Sequence, residues 1–307
     1  MRLLITGASG LLGLNLAEEA RSTHEVVGAH RGRLRSAPFE TTEVDLALDD
    51  AADRLLDDAM PDWVINCAAL ANLEQCETDP ERAHLLNTEF PGRLGRACSQ
   101  RRIRLLHIST DAVFDGMRDG PYGEDDAPNP LGVYATTKLL GEHAVLSADS
   151  AALVARVNFY GWSLGGRRSL AEFFFENLRS GEAVNGFVDV VFCPMLVNQL
   201  ARLLLVMLRG GLGGLYHVVG SAPMSKYQFG VRIARRFGLG EDRITARSVA
   251  DSDLTARRSH NLTLSVHKLS TAVAGPIPSF SRGLDEFHAQ YQKGYPQRIR
   301  SYAQVPV

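Results

Sequence analysis

Short apolar runs alternate with amphipathic stretches along the first half of the chain. The segments RLLIT (2–6), EVVGA (25–29), DWVINCAA (62–69), IRLLHIST (103–110) and ALVARV (152–157) are apolar almost throughout. They lack the in–out alternation of a half-exposed strand. Such runs predict strands buried on both faces, as in a parallel sheet covered by helices. Between them, residues 11–21, 49–59, 80–100 and 131–147 carry a helical spacing of apolar positions. Pro91 and Gly92 fall inside the third of these and predict a kink there. Strand–helix repetition of this kind predicts an α/β fold, a Rossmann-type doubly wound parallel sheet, over residues 1–157.

After residue 157 the alternation becomes irregular. Helices are expected at 169–181, 198–211 and 225–239, the last with Ser225 as its N-cap, and a strand at 214–220. Residues 158–307 are therefore read mainly as a smaller, partly interleaved substrate lobe. Segments near 187–210 and 256–268 are expected to return to the first domain.

Composition narrows the function classes. With 45% hydrophobic and 22% charged residues among 307, the chain has the make-up of a soluble protein with a large core. A formal net charge of −2 gives no broad attraction for nucleic acid or an anionic membrane, so any phosphate site must be local. The longest apolar runs, such as LLLVML (203–208), are too short to span a bilayer, and residues 1–20 lack a secretory signal pattern. Cys67, Cys76, Cys98 and Cys193 form no C-x-x-C pair and suggest no metal site; they read as reduced thiols of a cytoplasmic protein.

Two motifs carry chemistry. In TGASGLLG, Gly7, Gly10 and Gly13 lie between the first strand and the first helix. Glycine there permits a sharp turn and a close approach of a pyrophosphate to the helix N-terminus, with Ser9, Leu11 and Leu12 beside it. No carboxylate follows the second strand, where an NAD site keeps one for the ribose. Arg31 and Arg33 stand there instead, suited to a 2′-phosphate or else solvated. NADP is the expected cofactor, with NAD as the alternative. The second motif is Tyr134-x-x-x-Lys138, two residues one helical turn apart. Only four of the 33 basic residues are lysine, at 138, 226, 268 and 293. An ammonium beside a tyrosine favours the phenolate, lowering a pKa that is ordinarily about 10 toward useful acid–base chemistry.

Taken with NCAA (66–69), Asn87 and HISTDAVFDG (107–116), these motifs resemble the extended short-chain dehydrogenases/reductases. The closer likeness is to the dTDP-4-dehydrorhamnose reductase branch, which also contains the regulatory β-subunit of methionine adenosyltransferase. It covers nearly the whole chain. The resemblance implies Thr110, Tyr134 and Lys138 as catalytic residues, Tyr134 donating a proton while a ketone accepts hydride. It implies Cys67, Ala68, Ala69, Asn87, Asp45 and Leu46 beside the cofactor. Bonding to backbone is an equal reading of Asn87, helix capping of Asp45, and a structural role of Asp111. Asn158, Phe159 and Trp162 are implied toward the substrate, with Ser169, Leu170 and Phe174 following toward the substrate lobe and Arg257 and Arg258 meeting a diphosphate. A homodimer through the helices at 80–100 and 131–147 is also implied.

The chain departs from the branch in two places. Thr110-Asp111-Ala112 stands where sugar-nucleotide dehydratases carry Thr-Asp-Glu, which argues against elimination of water. RVNFYG (156–161) is one residue shorter than the loop typical of the reductases. The expected function is NADPH-dependent reduction of a keto sugar nucleotide, a dTDP-4-keto-6-deoxyhexose by resemblance. A sugar-nucleotide epimerase and a non-enzymatic NADP-binding regulatory subunit are the alternatives.

Overall fold

A computed structural model of the chain describes residues 1–252 and 256–303. Its centre is a seven-stranded sheet, parallel throughout. From one edge the strands run Gly214–Val218, Leu153–Val157, Arg104–Thr110, Trp63–Asn66, Arg2–Thr6, Glu25–His30 and Glu40–Glu43. The chain fills one half outward from Arg2–Thr6, then returns beside it and fills the other. The order therefore reverses between Arg2–Thr6 and Trp63–Asn66, and ligands of such sheets bind outside the carboxyl ends at this reversal. The strand at 214–218 belongs to this sheet rather than to the lobe.

Alternate residues of each strand feed opposite cores. Leu3, Ile5, Ile65 and Leu106 pack with Leu16 of helix Leu11–Ala20 and with Leu200, Leu204 and Met207 of helix Val197–Arg209. Leu4, Val64, Leu105 and Val154 face Leu55, Phe90, Leu94 and Val145 on the other side. The continuous apolar runs follow from this double burial.

The kink expected at Pro91–Gly92 is displaced. Helix Pro80–His84 widens into a π-helical turn over Leu85–Glu89, and helix Phe90–Arg101 then runs on through Pro91 and Gly92. Proline cannot donate to the carbonyl four residues back, here that of Asn87. The freed carbonyl lies against Gly141 of helix Val133–Ala148, where a Cβ would stand 2.1 Å from it.

The remaining elements build an aromatic lobe. Helices Leu170–Arg179, Lys226–Phe237 and Phe280–Gln292 enclose Trp162, Phe174, Phe175, Phe229 and Phe287. Ser225 caps Lys226–Phe237 through a reciprocal capping box with Gln228. Val191–Phe192 pairs with Asn261–Leu262 and Met224–Ser225 in a separate three-stranded sheet.

Candidate active site

The glycine turn sits at the reversal of strand order. Gly7 has φ +68°, a conformation that disfavours a side chain, and a Cβ there would lie 2.8 Å from the Ala68 backbone. The Gly10 amide donates to the Gly7 carbonyl at 2.8 Å. A Cβ on Gly13 would stand 2.4 Å from that same oxygen. No side chain caps helix Leu11–Ala20, so its first amides at Leu11, Leu12 and Gly13 are left for a ligand. Ser9, Gly10 and Leu11 are half-buried at this rim, with Cys67 and Ala68 opposite and Ala69 exposed beyond them. This cradle fits a dinucleotide pyrophosphate.

At the end of the second strand, Arg31 and Arg33 are exposed around Gly32, which has φ +69°. Arg168 lies close enough to Arg33 for the two charges to repel. Sequence reasoning missed the carboxylate here: Glu43, in register with His30, lies against the same turn, its Oε1 2.8 Å from where a Gly32 Cβ would be. A cross-strand partner is invisible to a search confined to one strand's end. Asp45 is exposed and accepts from the Ala47 amide at 3.1 Å, holding a turn well before helix Ala51–Ala59. Leu46 packs half-buried under the sheet.

Asn87 is fully buried in the π turn. Its Oδ1 accepts from Leu70 N at 2.8 Å, and its Nδ2 donates to Leu70 O at 3.1 Å and Thr137 Oγ1 at 3.1 Å. It joins the loop after NCAA to the Tyr–Lys helix, the backbone-bonding reading of this residue.

Thr110, the last residue of its strand, and Tyr134, in the first turn of helix Val133–Ala148, meet at a cleft of about 180 Å³. Asp111, Lys226, Arg257 and Arg258 also line it. Burial pushes the Tyr134 phenol up to about 12; the Thr110 hydroxyl bonded to it acts in the opposite sense, and Asp111 and Cys76 add to the rise. The expected lowering by Lys138 is not found. The Lys138 amine, 2% exposed, points instead at Ile108 O (2.6 Å) and His107 Nε2 (3.3 Å). Burial lowers Lys138 to about 8, while Glu142 and Cys67 favour its charged form.

Asp111 is buried and pushed up to about 6, chiefly by burial, against the bonds from Asn158 and Thr110. Asn158 Nδ2 donates to its Oδ2 at 2.5 Å, so Asn158 reaches the cleft through Asp111. Burial brings Lys226 down to about 8, with Arg258 repelling its charge and Asp111 attracting it. No motif marks Lys226. Its one available signal was the scarcity of lysine that singled out Lys138.

Trp162 does not face the cleft. It is 0% exposed, stacks on Phe287 at 4.1 Å, and donates from Nε1 to Phe287 O at 3.2 Å. Phe174 lies in the same core with Leu170 packed against it, and Ser169 is the N-cap of helix Leu170–Arg179. Phe159 is half-buried against the main core. A larger groove of about 630 Å³ along Gly123–Asp126, Tyr216 and Lys268 contains none of the expected site residues.

The RmlD substrate-binding-domain model matches residues 1–293. The chain belongs to that family. A probable low-salt glycan biosynthesis reductase, Agl14, of Haloferax volcanii is 32% identical over 95% of this chain and 98% of its own length. The dTDP-4-dehydrorhamnose reductase of Mycolicibacterium smegmatis is 32% identical over 93% of this chain and 84% of its own. Methionine adenosyltransferase 2 subunit beta of Mus musculus is 33% identical, over 93% and 86%. A crystal structure of dTDP-4-dehydrorhamnose reductase from Bacillus anthracis in complex with NADP superposes with a TM-score of 0.85 at 23% identity, covering 94% of this chain and 99% of that one. The extended dehydrogenase/reductase fold and membership of an oxidoreductase family are thereby established. Among the described residues, no helix is long and apolar enough to cross a membrane.

Proposed function

We propose that this chain reduces the ketone of a nucleotide-linked sugar with NADPH, most simply a dTDP-4-keto-6-deoxyhexose. The observation that carries the reading is the meeting of Thr110 and Tyr134 at a cleft on the carboxyl edge of the sheet that also carries the glycine turn, with Lys138 buried one helical turn from Tyr134. Bound in that cradle, the nicotinamide cofactor supplies hydride to the carbonyl carbon. Thr110 orients the carbonyl oxygen and Tyr134 gives it a proton, so the ketone becomes an alcohol. A phenol held near 12 by burial stays protonated at neutral pH, as a proton donor must. Two N–H donors of Lys138 face Ile108 O and His107, and the third is assigned to the cofactor ribose. Arg31 and Arg33, with Arg168 nearby, favour NADP, whereas Glu43 beside them keeps NAD in play as a second cofactor. Lys226, Arg257 and Arg258 give the cleft the cations that a diphosphate needs. A cytoplasmic homodimer through the helical segments at 80–100 and 131–147 completes the reading; light scattering showing a monomer would remove the dimer.

Likeness to the methionine adenosyltransferase subunit supports a second reading, a nucleotide-binding regulatory subunit without turnover. Tyr134→Phe separates the two. For a reductase it lowers kcat by about 10²–10⁴-fold while NADPH binding persists. Near-full turnover by the variant would remove Tyr134 from the mechanism.

A further inference from the structure

A row of polar side chains crosses the interior of the sheet where apolar residues are the rule. Thr6 is in register with Asn66, and Asn66 with His107, on three adjacent strands. All three are buried, His107 to 0% exposure. The row is bonded from end to end. Thr6 Oγ1 lies 2.6 Å from Asn66 Oδ1, Asn66 Nδ2 lies 3.0 Å from His107 Nδ1, and His107 Nε2 lies 3.3 Å from the Lys138 amine. It begins one residue before the glycine turn, where Thr6 Oγ1 also accepts from Ala68 N at 3.4 Å. It ends on the amine that the reductase reading places under the cofactor.

We propose that His107 is a positioning residue for Lys138, a neutral imidazole whose Nε2 lone pair accepts from the ammonium and fixes both its place and its charge. The proposal rests on the reductase reading for its role in turnover. The ring is neutral because burial and the neighbouring Lys138 charge both hold its pKa well below the ordinary value. A neutral imidazole carries one N–H. With an ammonium on the Nε2 side, that proton sits on Nδ1 and is donated to Asn66. The amide then turns its oxygen toward His107 and its nitrogen toward Thr6, an exchange of two atoms of nearly equal shape. The other titratable groups facing the amine are Glu142, one turn along the same helix, and Cys67, at the end of the neighbouring strand. Burial raises Cys67 to about 12, so it stays an uncharged thiol. Ile108 O and His107 Nε2 are then the direct acceptors that keep the buried ammonium charged.

The scarcity of lysine makes this measurable. Protein labelled with 13C at lysine Cε gives signals from four residues, and Lys138→Arg identifies the one from Lys138. The full-length protein, without ligand, is titrated as wild type, His107→Leu, His107→Asn and His107→Gln. The wild-type Lys138 midpoint is expected near 8. Leucine and asparagine provide no acceptor at the Nε2 position, so the charged form is disfavoured and the midpoint falls by about one unit, tenfold in the ionisation constant. Glutamine, whose Oε1 reaches that position, restores it. Asparagine guards against a leucine variant that fails to fold. An unchanged or raised midpoint in a folded acceptor-less variant, or a glutamine variant that behaves like asparagine, overturns the proposal. Turnover with NADPH and a keto sugar nucleotide gives the second arm: the alkaline limb of kcat should move with the Lys138 midpoint and return with glutamine. If the wild type turns over no ketone, the reductase reading fails while the lysine titration still decides the role of His107.

Discussion

Glu142→Gln tests how the buried side of the site is held. Glu142 and Arg156 are 2% and 3% exposed. Arg156 Nε lies 2.9 Å from Glu142 Oε1, Arg156 Nη2 lies 2.7 Å from Oε2, and Ser109 Oγ donates to Oε1 at 2.5 Å. Arg156 also stands 5.0 Å over the Phe114 ring and 3.4 Å from Nε2 of His217. Burial and the Arg156 charge push His217 down to about 3, so it is a neutral ring and cannot take over as counter-charge. Glutamine preserves the shape of Glu142 and removes its charge, leaving the Arg156 guanidinium buried without the carboxylate that neutralises it. Breaking one side of such a pair costs about 3–5 kcal/mol. For a chain of this size that corresponds to a fall of roughly 5–10 °C in Tm. Glu142 also favours the charged form of Lys138, so the variant should lose the Lys138 ammonium at lower pH. Thermal and urea unfolding give the first readout, and the pH dependence of kcat the second. A loss below about 1 kcal/mol would refute the reasoning, because it would mean that water reaches the Arg156 guanidinium. The pair Glu142→Leu with Arg156→Met should recover much of the loss, since no charge then remains buried.

Three further outcomes follow from the geometry. Gly7→Ala places a side chain at φ +68° against the Ala68 backbone; it should cost about 1–3 kcal/mol and weaken NADPH binding at least tenfold, both read by melting with and without NADPH. Trp162→Ala should lower stability by about 3–5 kcal/mol through a cavity in the lobe; a raised KM at unchanged Tm would instead return Trp162 to the substrate. Asp111 has a folded pKa of about 6, above its ordinary 3.8, so its charged form is penalised in the fold. That penalty is absent below about pH 4, grows through the interval and is full above about pH 6. Asp111→Asn should therefore raise stability at pH 7.5, by at most about 3 kcal/mol, and leave it unchanged near pH 4, read by thermal unfolding at the two pH values.

Residues whose chemistry is local were legible in the sequence. Gly7 and Gly13 announce the turn because the backbone there leaves no room for a Cβ, with Gly10 held close to the Gly7 carbonyl between them. Tyr134 and Lys138 announce their shared helix by spacing alone. Features made by distant segments were not legible. Trp162 follows the sixth strand, where a substrate loop is expected, yet Phe287 and Phe175 arrive from elsewhere in the chain to bury it. The π turn at 85–89 arises from Pro91 and from the room that Gly141 provides, fifty-odd residues later. Glu43 becomes a neighbour of the arginine turn only through strand register. The Lys138 amine was expected beside the phenol, but the polar row through Thr6, Asn66 and His107 gives it a different partner. That row takes one residue from each of three adjacent strands, and only strand register shows that they meet, which a periodicity analysis passes over.

The central claim is that this cleft transfers hydride to a ketone. Its most direct test follows NADPH absorbance as purified protein meets a panel of 4-keto-6-deoxy sugar nucleotides, with NADH and Tyr134→Phe alongside. The account predicts steady oxidation with at least one of them, faster with NADPH than NADH and almost lost in Tyr134→Phe. Tight NADPH binding with no oxidation by any of them would contradict it and leave the regulatory reading standing.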